Sequence, residues 1–177
     1  MVAEGNQKKE KIAEVKAHIT LLEPEYLPAK VRSIRREEPI SNGIIWEYSC
    51  NNQPNSFTIT QVAIDKWMQS PIWDLRQKRL NEIEEYYQKD HKSHPTSGMI
   101  RENRKDYSSR LEEVSINNRK GLYITEYYTG ITISNLLVWE SDESLIELGT
   151  DYPGICGISK EEFIKVAESM VYVVKLL

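Results

Sequence analysis

Only two cysteines, Cys50 and Cys156, stand among the 177 residues, and they lie in different parts of the chain with no CxxC spacing. That excludes zinc-knuckle and thioredoxin-type redox motifs. Two unpaired thiols are the simpler reading, since a domain of this size folds without a staple; a single disulfide between them stays open. Histidine is nearly as scarce, at three. His18 has no second ligand one helical turn on, and His91 with His94, even beside Asp90, forms a weak ligand set in a loop, so no metal site is expected. No apolar run approaches the ~20 residues needed to cross a bilayer, and the opening MVAEGNQKKEK lacks the apolar stretch of a signal peptide. Neither sign of charge dominates: 23 Lys plus Arg against 27 Asp plus Glu give a net charge of -4, which implies no global attraction to nucleic acid or an anionic membrane. Nucleophile elbow, P-loop, Rossmann glycines and HExxH are all missing, and the pairs Glu84-Glu85 and Glu161-Glu162 are helix neighbours that point in different directions. No catalytic residues and no cofactor are expected.

What remains is ordinary globular composition, 40% hydrophobic and 28% charged, in a length that suits one core. Ten tyrosines and four tryptophans against two phenylalanines favour half-buried sheet positions, where a polar ring atom reaches water. Residues 1–23 read as a lead-in, with Ile12, Val15 and Ile19 at helical spacing from Gln7 to about Leu22. Pro24 and Pro28 end that helix and stiffen the approach to the first strand. VRSIRREEP and NGIIWEYSC pair through an Asn-Gly turn, and FTITQVAI follows with Phe57, Ile59 and Gln61 on one parity. The basic cluster Lys30, Arg32, Arg35 and Arg36 reads as a solvated strand face.

From Asp65 to Arg110 the period becomes helical. Ser70-Pro71 supplies an N-cap and first turn, and Ile72, Leu75, Leu80, Ile83 and Tyr87 keep a stripe. HKSHPTSGM is a loop by composition, and RENRKDYSSRLEE reads as mobile or weakly helical. Strands resume at Val114 and Ile116, with NNRKG as a turn closed by glycine. The next strand puts Leu122 and Ile124 on one parity and a tyrosine-rich outer face, Tyr123 and Tyr127, on the other. GITISNLLVWE and SLIELG form a hairpin through Ser-Asp-Glu-Ser, with Ile131, Ile133, Leu137 and Trp139 on one buried parity of the first. Ser159 and Glu162 make a capping box, Ile158 staples onto Phe163, and the helix carries Phe163, Val166, Ala167, Met170, Val171 and Val174 on one side.

The order EYLPAKV, GIIWEYS, FTITQ, NRKGLYI, LLVWESDESLIELG and ISKEEFIKVAESM resembles a domain family of unknown function common in Gram-positive bacteria. Tyr26-Leu27-Pro28 is similar to that family's "YxPxG" entry, with Ala29 in place of the glycine. Trp139 followed by Ser159-Lys160-Glu161-Glu162 is similar to its tryptophan strand and "SKEE" helix start. The resemblance implies an extracytoplasmic location, often behind a membrane anchor and sometimes as the outer part of anti-sigma-factor-like proteins, and no catalytic residues. An anchor would have to precede Met1.

Together these readings predict an α+β fold over residues 24–177, a twisted antiparallel β-sheet packed against a C-terminal α-helix, with residues 65–110 as a helical insertion in mid-sheet. The expected function is a non-catalytic extracytoplasmic binding or sensing module; the alternative is a carrier that holds an apolar ligand between sheet and helix, lined by Trp46, Trp139 and Phe163. The expected partner is a protein or a small apolar ligand, not nucleic acid. Trp67, Trp73, Tyr86 and Tyr87 of the insertion are the interaction candidates, unless they are a lid on the open face of the sheet.

Overall fold

A computed structural model describes residues 10–12, 20–40, 42–64, 72, 74, 76–78, 81, 107–151 and 156–172. Within them the chain is predominantly antiparallel β. β1 (Leu22–Pro24) is followed by β2 (Val31–Ile40), β3 (Gly43–Cys50), β4 (Gln53–Ala63), β5 (Tyr107–Ile116), β6 (Arg119–Tyr128), β7 (Ile131–Glu140) and β8 (Ser144–Asp151). The helix α1 (Lys160–Glu168) and the short β9 (Met170–Tyr172) complete the order. Seven strands form one sheet in the order β2-β3-β4-β8-β7-β6-β5, and β1 pairs with β9 in a separate ribbon. Two hairpin meanders, β2-β3-β4 and β5-β6-β7-β8, are thus joined by the antiparallel contact of β4 with β8.

The tight turns come from residues that tolerate left-handed backbone. Asn51-Asn52 and Asn117-Asn118 all have φ between 48° and 66°, and Thr129-Gly130 turns in the same way. Positive φ at both central positions is the two-residue hairpin geometry that matches strand twist. The glycine expected to close the NNRKG turn lies elsewhere: Gly121 is a buried residue of β6, and a Cβ there would come within 2.9 Å of Ile116 Cδ1. Asparagine makes that turn, and glycine makes room for β5.

Because pleating alternates, each face of the sheet can be read from its cross-strand partners. On one face Tyr123, Leu137, Leu148, Ile59 and Trp46 stand opposite one another across β6-β7-β8-β4-β3. Phe163, Val166 and Ala167 of α1 belong to the same buried cluster, as do Leu21, Leu22 and Ile158. Phe163 lies edge-on to Phe57 at 6.0 Å and to Tyr123 at 5.8 Å. The capping box forms as the sequence indicates, with Ser159 accepting from the Glu162 amide and Glu162 accepting from that of Ser159. The helix stops one turn earlier than its apolar stripe suggests. Ser169 caps it, and Met170–Tyr172 turn into β9 against β1, where Val171 and Tyr172 are residue types that favour a strand.

The opposite face carries a second cluster, Leu122, Ile124 and Val138 with Ile72, and Leu111, Leu136 and Leu145 beside it. This corrects two expectations. Tyr123 is not on an outer face but buried against Phe163, and β7 buries both parities, Leu137 and Trp139 on one side and Val138 on the other. Ile131, assigned to the buried parity, is 68% exposed at the hairpin tip. A continuous Leu-Leu-Val-Trp run in a central strand is the signature of a sheet covered on both faces.

A third correction concerns β5. Tyr107 to Glu113, read as mobile or weakly helical, are strand, so the intervening segment ends before residue 107 rather than at Arg110. The strand reads as polar because its charges are answered from outside the sheet: Glu112 by Lys160 of α1 and Glu113 by Arg76.

Cys50, at the end of β3, and Cys156, ahead of α1, form a disulfide with Cα atoms 5.4 Å apart, so the reading of two unpaired thiols is overturned. Both are fully buried. The Cα spacing is that of an ordinary bridge.

Candidate functional site

Among the described residues, charged groups gather at several places, two of them around half-buried side chains. Arg35 on β2 lies with its guanidinium 4.3 Å from the centre of the Trp46 ring, and it donates to Glu23 of β1 and Glu37 of its own strand. Burial alone would lower the Arg35 pKa, but its bonds to Glu23 and Tyr48 outweigh that and raise it. Tyr48, opposite Arg35 in the β2-β3 register, is raised by burial, with Arg35 pulling the other way. The arrangement clips the β1-β9 ribbon to the sheet. Only part of the expected solvated basic face survives: the exposed Arg36 pairs with Glu38 and the half-buried Glu47, whereas Arg35 is itself half-buried.

At the other side of the sheet Lys160 Nζ lies 2.6 Å from Glu112 Oε2 and 5.7 Å from the centre of the Tyr123 ring. The ammonium bond holds the Glu112 carboxyl below its ordinary range. Burial pushes the Tyr123 phenol up to about 12, against the bond from Thr125. The folded state therefore favours neutral Tyr123. Its contribution to stability is complete below the unfolded pKa of about 10 and is lost as pH climbs through about 12. Tyr123→Phe should flatten the fall in urea midpoint over that alkaline window without removing it, because Tyr48 is also raised. An unchanged slope would mean that Tyr123 does not titrate with folding.

Between these clusters runs a polar row on the α1-facing side, with Thr125 opposite Asn135 and Asn135 opposite Thr150. Most other buried polar side chains are bonded. Gln61 donates to the Thr20 carbonyl and Ser144 and accepts from the Leu22 amide, which anchors the lead-in to β4. Ser56 and Ser134 also have partners. Asn135 Oδ1 and Thr150 Oγ1 have none, nor has Trp46 Nε1; Glu47 Oε2, also without a hydrogen bond, has Arg36 Nε at 3.7 Å. Asn135 is 7% and Thr150 2% exposed. A buried hydroxyl without a partner carries its desolvation cost uncompensated. Thr150→Val, which keeps the shape and suits a strand, should raise stability by about 1 kcal/mol. A lower denaturation midpoint would show that the hydroxyl is bonded in solution.

The interaction candidates Trp67, Trp73, Tyr86 and Tyr87 lie outside the described residues, as do His18, Asp90, His91 and His94. Of their segment, Ile72 is buried against Leu122, Ile124 and Val138, its amide donates to Glu140 Oε1 at 3.1 Å, and Arg76 reaches Glu113 at 3.5 Å. At that point the segment covers the second face. Among the described residues no group of three or more His, Cys, Asp or Glu is placed to hold a metal ion, and no helix is long and apolar enough to cross a membrane.

The Arg35-Trp46 stack was within reach of the sequence. An Asn-Gly hairpin pairing Ile40 with Gly43 puts Glu37 opposite Trp46 and Arg35 opposite Tyr48, which leaves the guanidinium diagonal to the indole. The Lys160-Glu112 pair joins residues 48 apart, and no local spacing announces it.

The described residues thus form a mostly antiparallel β-sheet with a short helix, and charges of the sheet pair with groups outside it. Residues 76–170, just over half of the chain, match the model of the domain of unknown function DUF4367, and the chain belongs to that family. The matched span takes in β5 to β8 and α1 but not the Tyr26-Leu27-Pro28 entry or β2 to β4. No curated protein matches the chain.

Proposed function

We propose that this chain is a non-catalytic binding or sensing module that works outside the cytoplasm, with α1 held on the sheet as a fixed structural cover. The observation that carries the reading is the buried Cys50-Cys156 bridge, since structural disulfides persist in oxidising compartments and are rare in the cytosol. The resemblance to extracytoplasmic, Gram-positive domains, some of them anti-sigma-factor-associated, agrees with it. A protein is the partner favoured.

Trapping thiols in intact cells of the native host with acid and then alkylating the unfolded chain tests the compartment. Cys50 and Cys156 should be protected from alkylation until reductant is added; thiols that alkylate at once would overturn the extracytoplasmic reading.

The second reading, an apolar-ligand carrier, has less support. Trp46, Trp139 and Phe163, which would line its cavity, are all buried in one side-chain cluster, and the Phe163 ring occupies the place between β4, β6 and the helix. Saturable, one-to-one binding of a fluorescent fatty acid that quenches tryptophan emission would restore it.

A further inference from the structure

We propose that β5 is the edge through which two copies of this chain pair, strand against strand, to make one continuous fourteen-stranded sheet. The seven-stranded sheet ends on β2 at one side and β5 at the other, and the two edges are built differently. β2 carries a register break between Val31 and Arg35 and a proline at position 39, and it is studded with Arg32, Arg36, Glu37 and Glu38. Bulges, prolines and charge are the devices that keep an edge from accepting another strand. β5 has none of the backbone devices. Its ten residues pair with β6 in unbroken register from Tyr107-Tyr128 to Ile116-Arg119, it contains neither proline nor lysine, and among the described residues its outer side meets no further strand.

The sequence of β5 selects the occupant. Two identical strands that pair antiparallel about a two-fold axis normal to the sheet bring residues of the same parity face to face, so the axis passes through one residue. An axis at Glu112 sets Glu112 against its own copy, and one at Arg110 does the same with arginine; both are like-charge pairs. An axis at Leu111 instead sets Arg110 opposite Glu112 of the second copy, twice, and Ser109 opposite Glu113. It also brings the two Leu111 side chains together on the face where Leu111 already packs beside Leu122, Ile124 and Ile72. The second apolar cluster would then run through the axis from one copy into the other. Arg110 can reach across by exchanging one glutamate for its symmetry copy: its side chain is 67% exposed, and its Nε pairs at 3.1 Å with Oε1 of Glu112 on its own strand.

Sedimentation velocity of the full chain over a range of concentrations tests the pairing, read together with hydrogen exchange of the β5 amides in dilute and concentrated samples. The wild type should sediment at twice the chain mass when concentrated, with outward β5 amides protected only in the dimer. Arg110→Glu, which sets glutamate against Glu112 at both symmetric positions, should weaken association about tenfold or more. Arg110→Glu combined with Glu112→Arg restores opposite charges across the axis and should recover the dimer, provided a cooperative melt shows that the variant folds. For a variant that does not fold, the wild-type exchange data decide alone. A wild type that stays monomeric at high concentration, or a dimer whose β5 amides exchange equally at all concentrations, overturns the proposal; the monomeric outcome would leave β5 to an extended segment of some other protein.

Discussion

Replacing both Cys50 and Cys156 by alanine should lower the melting temperature by on the order of 10 °C. The bridge joins residues 106 apart in sequence, and closing a loop of that length removes about 4.7 kcal/mol of unfolded-chain entropy on the chain-entropy account, of which a native protein commonly keeps 2 to 4. A domain of this size loses roughly 2 to 4 °C per kcal/mol. The alanine pair leaves small gaps, so the cleaner comparison is the wild type itself, melted after unfolding and refolding with and without reductant. The reduced wild type should melt with the alanine variant, and the variant should ignore reductant. Equal melting of oxidised and reduced wild type would mean that the bridge contributes nothing to stability.

Phe163→Ala is expected to cost about 3 to 5 kcal/mol, the range for emptying a buried aromatic site. Phe163 is fully buried and stands edge-on to Phe57 and Tyr123, so its removal deprives two strands of their ring contact with α1 and leaves a void in a close-packed cluster. Chemical denaturation monitored through tryptophan emission measures the loss. A midpoint equal to that of the wild type would mean that the helix is held by other contacts. Ile164, on the same helix but only partly buried, should cost far less when cut to alanine.

The two expectations rest on features of unequal legibility. The start of α1 was plain in Ser159 and Glu162, because a capping box is a contact between near neighbours and its physics is local. Parity on β4 was equally plain in Phe57, Ile59 and Gln61. β7 was half read. Period two identifies a strand with one dry face, and nothing in Ile131 to Glu140 says that Ile72, nearly sixty residues upstream, will dry the other. β5 was missed at its polar end because Arg110, Glu112 and Glu113 look like solvated charge until Lys160 and Arg76 are brought to them by the rest of the fold. The cysteines failed in the same way: pairing depends on Cα separation, which spacing along the chain does not report. The orphaned oxygens of Asn135 and Thr150 become visible only when β7 and β8 lie side by side.

The ribbon of β1 and β9 has a mechanical consequence. Leu22 faces Tyr172, Glu23 faces Val171 and Pro24 faces Met170, so a pull applied through the chain before Leu22 and after Tyr172 opens the ribbon like a zipper, loading one pair at a time from the outer end. Past it the tension runs inward along β2 and β3 from one side and α1 from the other until it meets Cys50 and Cys156. There it passes through sulfur. Residues 51 to 155, which include all of β4 through β8, hang on that bridge outside the line of force. Stretched in an oxidising medium, the protein could lengthen only through its ribbon, two strands and its helix before the bridge took the load, with most of its sheet shielded.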